Sequence, residues 1–187
     1  MAFFQYSCIL VSVISALILK QTHVVVGGGA ANGWVAQGEC NGAGVPETCM
    51  QCLNSDQRTA NVENPAGVAA IVVGCVTSHT DSLVQQMTQL AASYHGQASA
   101  APLEECCQML ACAKKEEMEA DEQLHQFDYE GADRSMDRAY MYVVQCHQKI
   151  DEACQRSKME ISEMVMEKMR AHEQLCQAAM RIIERCK

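Results

Sequence analysis

The stretch Cys40-Asn-Gly-Ala-Gly-Val-Pro-Glu-Thr-Cys-Met-Gln-Cys-Leu-Asn-Ser-Asp56 is the part of the chain that decides the fold. It places Cys40 and Cys49 on either side of eight residues that include a proline, and a short polar run follows. Two further cysteines, Cys106 and Cys146, lie forty positions apart in sequence of helical character. Cysteines are interpreted as bridges only in an oxidising compartment, so the first question is whether the chain is exported.

The N-terminal segment predicts export. An apolar run extends from Ile9 to Leu19 and is followed by Lys20. It is too short to span a bilayer, which needs about 20 apolar residues. The small residues Gly27–Ala31 then offer a cleavage site near Ala30 or Ala31. We therefore expect residues 1–31 to be a secretory signal peptide and residues 34–187 to be the mature domain, with a retained anchor as the alternative.

The mature chain would be acidic. Without Lys20, 13 basic residues stand against 23 acidic ones, and the net charge is −10. Nucleic acids and anionic membrane surfaces would repel such a chain, so neither is an expected partner. A basic protein is the expected kind of partner. About 155 residues are ample for one domain with a packed core.

Four long helical segments are predicted after the cysteine-rich stretch. Asn64-Pro65 is typical of an N-cap followed by proline at the first helical position, and Gly96 is a natural stop. Pro102 opens the second helix, and Asp128-Tyr-Glu-Gly131 separates it from the third. The apolar stripes recur at spacings of three and four, and comprise Val68, Ile71, Val72, Cys75, Val76, His79 and Leu83; Leu103, Cys106, Leu110, Ala113, Leu124 and Phe127; Ala132, Met136, Ala139, Tyr140, Val143 and Cys146; and Ile161, Met164, Val165, Lys168, His172, Leu175, Ala179 and Ile182.

The start of the fourth helix is the least marked. Ser157-Lys-Met-Glu160 has the form of a capping box, so we place the start there, although one very long helix is the alternative. Strand patterns are nearly absent. The fold class is therefore all-α: an up-down-up-down four-helix bundle with a short N-terminal helical hairpin, stapled by disulfides.

The order of these elements resembles the plant invertase/pectin methylesterase inhibitor family. That family has an apolar helix, a cysteine, eight residues including a proline, a second cysteine and a Leu-x-Ser-Asp-like run, matched here by Trp34, Cys40, Pro46, Cys49 and Leu53-Asn-Ser-Asp56. An apolar helix follows at Gly67–Val73. The later matches are Leu103, Cys106 and Ala113, the Asp-Tyr-x-x-Ala turn at Asp128, Tyr129 and Ala132, and Cys146.

The resemblance implies two disulfides, Cys40–Cys49 and Cys106–Cys146. The second agrees with hairpin geometry, because the midpoint of that pair is residue 126, beside the break between two antiparallel helices. In the loop-entropy model these bridges stabilise by about 3 and about 4 kcal/mol. The resemblance also implies an inhibitor in the apoplast or cell wall that covers the substrate cleft of its target in a 1:1 complex.

The resemblance implies pectin methylesterase or acid invertase as the target. Invertase inhibitors of the family often carry Pro-Lys-Phe at the turn before the third long helix, where this chain has Asp128-Tyr-Glu-Gly131. That absence favours pectin methylesterase. We expect Asp128, Glu130 and Asp133 to contribute to the contact with a basic target; the alternative is that they only cap and solvate the third helix.

Seven cysteines of the mature chain lie outside the family pattern: Cys52, Cys75, Cys107, Cys112, Cys154, Cys176 and Cys186. Eleven is an odd number, so at least one thiol is free or pairs between chains. Cys49-x-x-Cys52 matches a redox or zinc half-motif, and Cys106-Cys107-x4-Cys112 with His125, His147 or His172 could be drawn as a metal cluster. Helical cysteines are more often apolar fillers, as are the methionines from Met159 to Met169. No cofactor and no metal is expected.

Enzymatic activity is not expected either. The acidic run Glu116, Glu117, Glu119, Asp121 and Glu122 is interpreted as a solvated helix face. A bundle offers little room for a substrate cleft with a nucleophile and a base. Two other classes stay open: a storage or allergen-like bundle without a target, and a cysteine-based redox or metal protein.

Overall fold

A computed structural model of the chain describes residues 33–157 and 159–187. The predicted signal peptide falls outside the described residues. The elements in chain order are α1 (Gly33–Ala43), α2 (Pro46–Ser55), a 3₁₀ turn (Gln57–Asn61), α3 (Pro65–Ser93), α4 (Ala100–His125), α5 (Tyr129–Ser157) and α6 (Glu163–Glu184).

Helices α3 to α6 form the predicted up-down-up-down four-helix bundle. Each packs against two neighbours, in the cyclic order α3, α4, α5, α6 and back to α3. The described residues contain no strand. The all-α, disulfide-stapled fold class predicted from the sequence is therefore confirmed.

Local sequence sets the helix ends. Asn64 caps α3 by accepting a hydrogen bond from the Gly67 backbone N–H at 2.8 Å, and Pro65 occupies the first turn. A β-carbon at Gly67 would lie 2.6 Å from the Val62 side chain, so any other residue here would require that side chain to shift. The start of α3 is thus as the sequence predicts.

The predicted capping box at Ser157-Lys-Met-Glu160 is wrong. Ser157 is the last residue of α5, and its hydroxyl donates back to the Ala153 carbonyl. Ser162 takes the N-cap position and α6 begins at Glu163, after a short non-helical connection. A serine in the last turn of a helix can bond the carbonyl four residues back, and this competes with capping the next helix.

Two further stripe assignments are corrected. Phe127 and Met164 were placed on inner helix faces, but their side chains are 76% and 61% exposed. Phe127 lies beyond the end of α4, where the helical period no longer applies. Met164 lies in the first turn of α6, and its neighbour Val165 is buried instead.

The N-terminal hairpin of α1 and α2 turns at Gly44, whose φ of 78° favours glycine. It packs mainly on α6 and α3. The Arg185 guanidinium donates to the Glu39 carboxylate at 2.6 Å and to the Glu39 carbonyl at 2.8 Å, and Arg181 donates to the Ala43 carbonyl. The hairpin is therefore fixed to one end of the bundle.

Three disulfides lie in the described residues. Cys40 is joined to Cys49 within the hairpin, and Cys106 to Cys146 between α4 and α5, with Cα–Cα distances of 5.5 and 4.6 Å. The third, Cys52–Cys75, ties α2 to α3 with a Cα–Cα distance of 6.0 Å. The sequence left this third pairing open.

The core is divided into two apolar clusters. One fills the end of the bundle covered by the hairpin, and the other surrounds the Cys106–Cys146 disulfide. The boundary between them falls at Thr80 on α3, Glu117 on α4 and His172 on α6, all fully buried. Of the helices in the described residues, α3 alone is long and apolar enough to cross a membrane by those two measures, and here it packs within the bundle.

Candidate functional site

The turn between α4 and α5 presents an exposed aromatic ring on a tightly bonded backbone. The Phe127 N–H bonds the Leu124 carbonyl at 3.1 Å and the Asp128 N–H bonds the Gln123 carbonyl at 2.9 Å, the hydrogen bonds of a Schellman motif. Phe127 occupies the left-handed position of this motif with φ 61°, where glycine is usual. A bulky residue in that conformation is an outlier that stores local strain.

The surroundings of Phe127 are apolar. Its ring meets Tyr129 edge to face, with centroids 6.5 Å apart. Both rings line an open depression of about 460 Å³, to which Pro65, Leu124 and Arg185 also contribute. An aromatic side chain exposed beside a shallow apolar depression is typical of a protein-binding surface.

The three predicted contact carboxylates lie on this same end of the bundle, but they differ in what holds them. Asp128 accepts a hydrogen bond from the Gly131 N–H at 2.9 Å, so it caps α5. Asp133 accepts from the Lys187 ammonium at 2.8 Å. Glu130 is exposed and its nearest cation, on Arg134, is 3.7 Å away. Glu130 is thus the carboxylate of the three that is most available to a partner.

Gly131 fits the capping role of Asp128. A β-carbon at this position would lie 2.2 Å from the Asp128 carboxylate. The Asp-Tyr-x-Gly sequence of the turn therefore encodes a close approach of side chain and backbone, and the exposed ring precedes it directly.

The residues of the two predicted cysteine motifs do not come together as redox or metal sites. Cys49 and Cys52 belong to two different disulfides. In the second motif Cys106 is bonded to Cys146, and Cys112 is exposed on α4. The three histidines considered with that motif lie apart: His125 is exposed, His147 pairs with Glu173 at 2.6 Å, and His172 lies in the core.

A different cluster, which the sequence did not predict, lies at the boundary of the two apolar clusters. Its members are Thr80, Glu117, His172 and Cys176. The Thr80 hydroxyl donates to Glu117 Oε1 at 2.6 Å and lies 3.2 Å from His172 Nε2. His172 Nε2 is 3.6 Å from Glu117 Oε1 and 3.9 Å from Cys176 Sγ. We call this group the buried polar cluster.

Burial sets the protonation of the buried polar cluster. It raises the pKa of the Glu117 carboxyl to about 7, against the lowering effect of the Thr80 hydrogen bond. It lowers the pKa of His172 to about 3, and nearby His79 adds to the effect. It also raises the pKa of the Cys176 thiol, with Glu117 and Glu173 adding to the shift. In mildly acidic water the cluster is therefore uncharged.

Glu117 corrects the interpretation of the acidic run. The run was expected to be a solvated face, yet the Glu117 side chain is fully buried. The signal was in the sequence: Leu110, Ala113, Glu117, Ala120 and Leu124 share one helical stripe, and all are buried. The prediction gave more weight to the charge of Glu117 than to its position on this apolar stripe.

Comparison with known proteins gives the fold and no closer relationship. No protein-family sequence model matches the chain, and no curated protein sequence does either. Among solved structures, a mutant form of a pectin methylesterase inhibitor from Arabidopsis is similar, with a TM-score of 0.63 and 16% identity over 78% of this chain and 92% of that chain. A pectin methylesterase inhibitor from Arabidopsis thaliana gives 0.60 and 15% over 82% and 97%.

Proposed function

We propose that the chain is a secreted protein inhibitor of pectin methylesterase, which it blocks by forming a reversible 1:1 complex over the enzyme's substrate cleft. The observation that carries the proposal is the similarity of fold to two pectin methylesterase inhibitors, which covers almost the whole length of those chains. At this identity the similarity establishes the fold alone. The function rests on the fold together with the surface described above.

The disulfides and the N-terminal sequence support the proposed cellular setting. Three disulfides favour an oxidising compartment, which agrees with a leader at residues 1–31 and a mature domain at 34–187. In the proposal that compartment is the plant apoplast or cell wall, where such an inhibitor would meet its target. The complex needs no cofactor.

The turn before α5 supplies the proposed contact surface. Phe127 is a rigid apolar anchor, and Glu130 is a carboxylate with only a weak internal partner. Asp128 and Asp133 contribute charge from fixed positions. With a mature net charge of −10, the domain would attract a basic target at long range.

Acid invertase is the alternative target. The turn Asp128–Gly131 lacks the Pro-Lys-Phe sequence that the family resemblance associates with invertase inhibitors, and this favours pectin methylesterase. One assay distinguishes between the two targets.

The test is inhibition of purified pectin methylesterase and acid invertase, side by side, by the oxidised mature protein at mildly acidic pH. We expect stoichiometric loss of the pectin methylesterase activity and none of the invertase activity. Loss of the invertase activity alone would reassign the target. If neither activity falls with a protein shown to be helical and monodisperse, the inhibitor proposal fails.

Pull-down from cell-wall extract then distinguishes the remaining classes. An inhibitor should retain a carbohydrate-active enzyme, whereas a storage or allergen-like bundle should retain none. Phe127→Ala protein serves as the control bait, because it removes the proposed anchor and leaves the cap of α5 intact.

A further inference from the structure

The buried polar cluster brings three kinds of zinc ligand together in the core. Glu117 offers a carboxylate oxygen, His172 an imidazole nitrogen and Cys176 a sulfur, and these atoms all lie within 4.8 Å of one another. Their residues are fully buried. Mixed oxygen, nitrogen and sulfur ligands suit Zn²⁺, whereas Mg²⁺ and Ca²⁺ prefer oxygen alone.

The spacing is close to what a tetrahedral ion requires. With usual zinc bond lengths, neighbouring ligand atoms lie about 3.4 Å apart for nitrogen and oxygen, and about 3.6 Å for sulfur and nitrogen. Here His172 Nε2 is 3.6 Å from Glu117 Oε1 and 3.9 Å from Cys176 Sγ. These two distances exceed the tetrahedral values by only about 0.2–0.3 Å, and all three ligand atoms lie within 4.8 Å of one another.

Two polar atoms of the buried polar cluster have no hydrogen-bond partner within the described residues. They are Glu117 Oε2 and His172 Nδ1. Leaving a buried polar atom unpaired costs about 1–3 kcal/mol, so two such atoms in one buried cluster are unusual. A cation bound by Glu117 would offset the cost of holding an ionised carboxylate at this core position.

Rigid elements hold the three ligands. His172 and Cys176 are four residues apart on α6 and share one face, while Glu117 faces them from α4. The hydroxyl oxygen of Thr80 on α3 lies only 2.6 Å from Glu117 Oε1. At this separation the Thr80 oxygen and the Glu117 oxygen cannot both bind one tetrahedral ion. Thr80 thus acts by orienting the carboxylate, as outer hydrogen-bond partners of metal ligands do.

The ligand charges match the ion. A coordinated carboxylate and thiolate carry one negative charge each, and neutral imidazole carries none. Together with Zn²⁺ they form a neutral group, which is the form that a water-poor core tolerates.

His79 lies between the buried polar cluster and a surface groove. Its ring is half-buried, lies parallel to the ring of His172 with centroids 6.4 Å apart, and lines an open surface groove with Asp56 and Arg58. Rotation of the His79 side chain would connect this groove to the buried polar cluster. An ion could then enter without unfolding of the bundle.

We propose that Glu117, His172 and Cys176 form a Zn²⁺ site in the bundle core, with water at the fourth coordination position. The site ties α4 to α6, a pair of helices that face each other diagonally across the bundle. It is independent of the proposed inhibitor function, since it lies away from the turn before α5.

The test is zinc binding by the full, oxidised chain after treatment with a chelator and desalting. Titration of Zn²⁺ against a competing chromophoric chelator should give one equivalent bound, and Mg²⁺ or Ca²⁺ should give none. Cys176→Ser and Glu117→Gln should each weaken zinc binding at least about 100-fold, because loss of even an outer partner costs about 10- to 100-fold.

Two variants serve as matched controls. His147→Gln removes the other histidine that pairs with a glutamate, and Cys112→Ser removes an exposed free thiol. Both should bind zinc as tightly as the unchanged protein. If either control weakens binding as much as Cys176→Ser does, the site lies elsewhere and the proposal fails.

Cobalt gives a measurement that does not depend on the folding of a variant. Co²⁺ bound to the unchanged protein should show visible bands of tetrahedral cobalt and a thiolate-to-cobalt charge-transfer band. Failure to bind zinc, or cobalt spectra without the thiolate band, would overturn the proposal. Helical content by circular dichroism, measured for every variant, separates lost ligation from lost fold.

Discussion

The turn before α5 and the buried polar cluster reverse the usual distribution of side chains in opposite ways. At the turn, the aromatic ring of Phe127 is 76% exposed to water. In the cluster, Glu117 and His172 are wholly removed from it. An isolated surface ring is cheap, but a buried carboxyl and imidazole are each costly to keep.

The two regions also differ in where their strain lies. The turn stores it in the backbone, with Phe127 in a left-handed conformation that its own hydrogen bonds enforce. In the cluster the unfavourable energy comes from lost side-chain solvation, since Glu117 Oε2 and His172 Nδ1 are buried and unpaired. Local exceptions of these kinds gather at functional sites, where stability is traded for binding. Substitutions can test the two regions independently.

The largest expected effect concerns Glu117 and pH. In metal-free protein kept in chelator, the folded pKa of Glu117 is about 7, above its ordinary value of 4.5. The protonated carboxyl therefore favours the folded state, and this contribution is complete below pH 4.5 and lost as pH rises through 7. Glu117→Gln cannot ionise, so its stability relative to the unchanged protein should grow by about 3 kcal/mol across that range.

Urea unfolding at pH 5 and pH 8 measures most of this difference. Glu119→Gln, an exposed change on the same helix, should show the same relative stability at both values. Asp81, Lys114 and His172 also face Glu117, and His172 contributes in the opposite sense, since its pKa is lowered to about 3. That contribution is complete above pH 6.5 and lost as pH falls through 3, and both proteins share it. A pH-independent gap between Glu117→Gln and the unchanged protein would contradict the prediction.

The next effect concerns Phe127. Phe127→Gly removes the anchor and also relieves the left-handed backbone, which costs a bulky residue roughly 1–2 kcal/mol. Glycine also increases the conformational entropy of the unfolded chain, which offsets part of this gain in stability. We expect the free energy of unfolding to stay level or rise by up to about 1 kcal/mol, while affinity for the proposed target enzyme falls by about tenfold or more.

Calorimetry and inhibition constants measure the two quantities. Phe127→Tyr keeps a ring and should retain the affinity. Met118→Ala removes an exposed apolar side chain of α4 instead and should change neither quantity. If Phe127→Gly inhibits as well as the unchanged protein, the ring is not an anchor.

Most of the fold could be predicted from the sequence because its signals are local. The N-cap at Asn64, the proline that follows it and the break before Gly131 each act within one turn of backbone, and the structure has them where the sequence places them. The start predicted at Pro102 is wrong by two residues, since α4 begins at Ala100 after Ser99. Ser157 was misplaced because its hydroxyl had two local partners to choose from. The residues alone do not show which of two competing bonds forms.

The buried polar cluster could not be predicted in the same way, because it depends on which residues of three helices meet at one level. Glu117 and His172 are 37 and 92 positions from Thr80, and sequence alone fixes no relative height for helices so far apart. The Cys52–Cys75 bridge was missed for the same reason. One clue was present: Glu117 sits on the apolar stripe of α4, so its position contradicted its charge.

A smaller effect is expected for Thr80, which holds the buried polar cluster together. Thr80→Val keeps the shape and removes the hydroxyl, so Glu117 Oε1 and His172 Nε2 lose their shared partner. The free energy of unfolding should fall by about 1–2 kcal/mol. Thr88→Val removes an exposed hydroxyl that donates to the Val84 carbonyl and lies 3.7 Å from Cys107 Sγ on α4, and it should cost less. Equal losses in the two variants would mean that the hydroxyl of Thr80 has no special role.

The smallest effect concerns the charge of the turn. Glu130→Lys reverses an exposed carboxylate without touching the cap of α5, and it should slow association with a basic target several-fold at low salt. The difference should vanish at high salt, where the Debye length falls to about 3 Å, while the dissociation rate stays the same. Glu152→Lys makes the same change in net charge at the far end of α5. Because an equal slowing by Glu152→Lys would reflect net charge alone, only a larger effect at Glu130 assigns the turn to the contact surface.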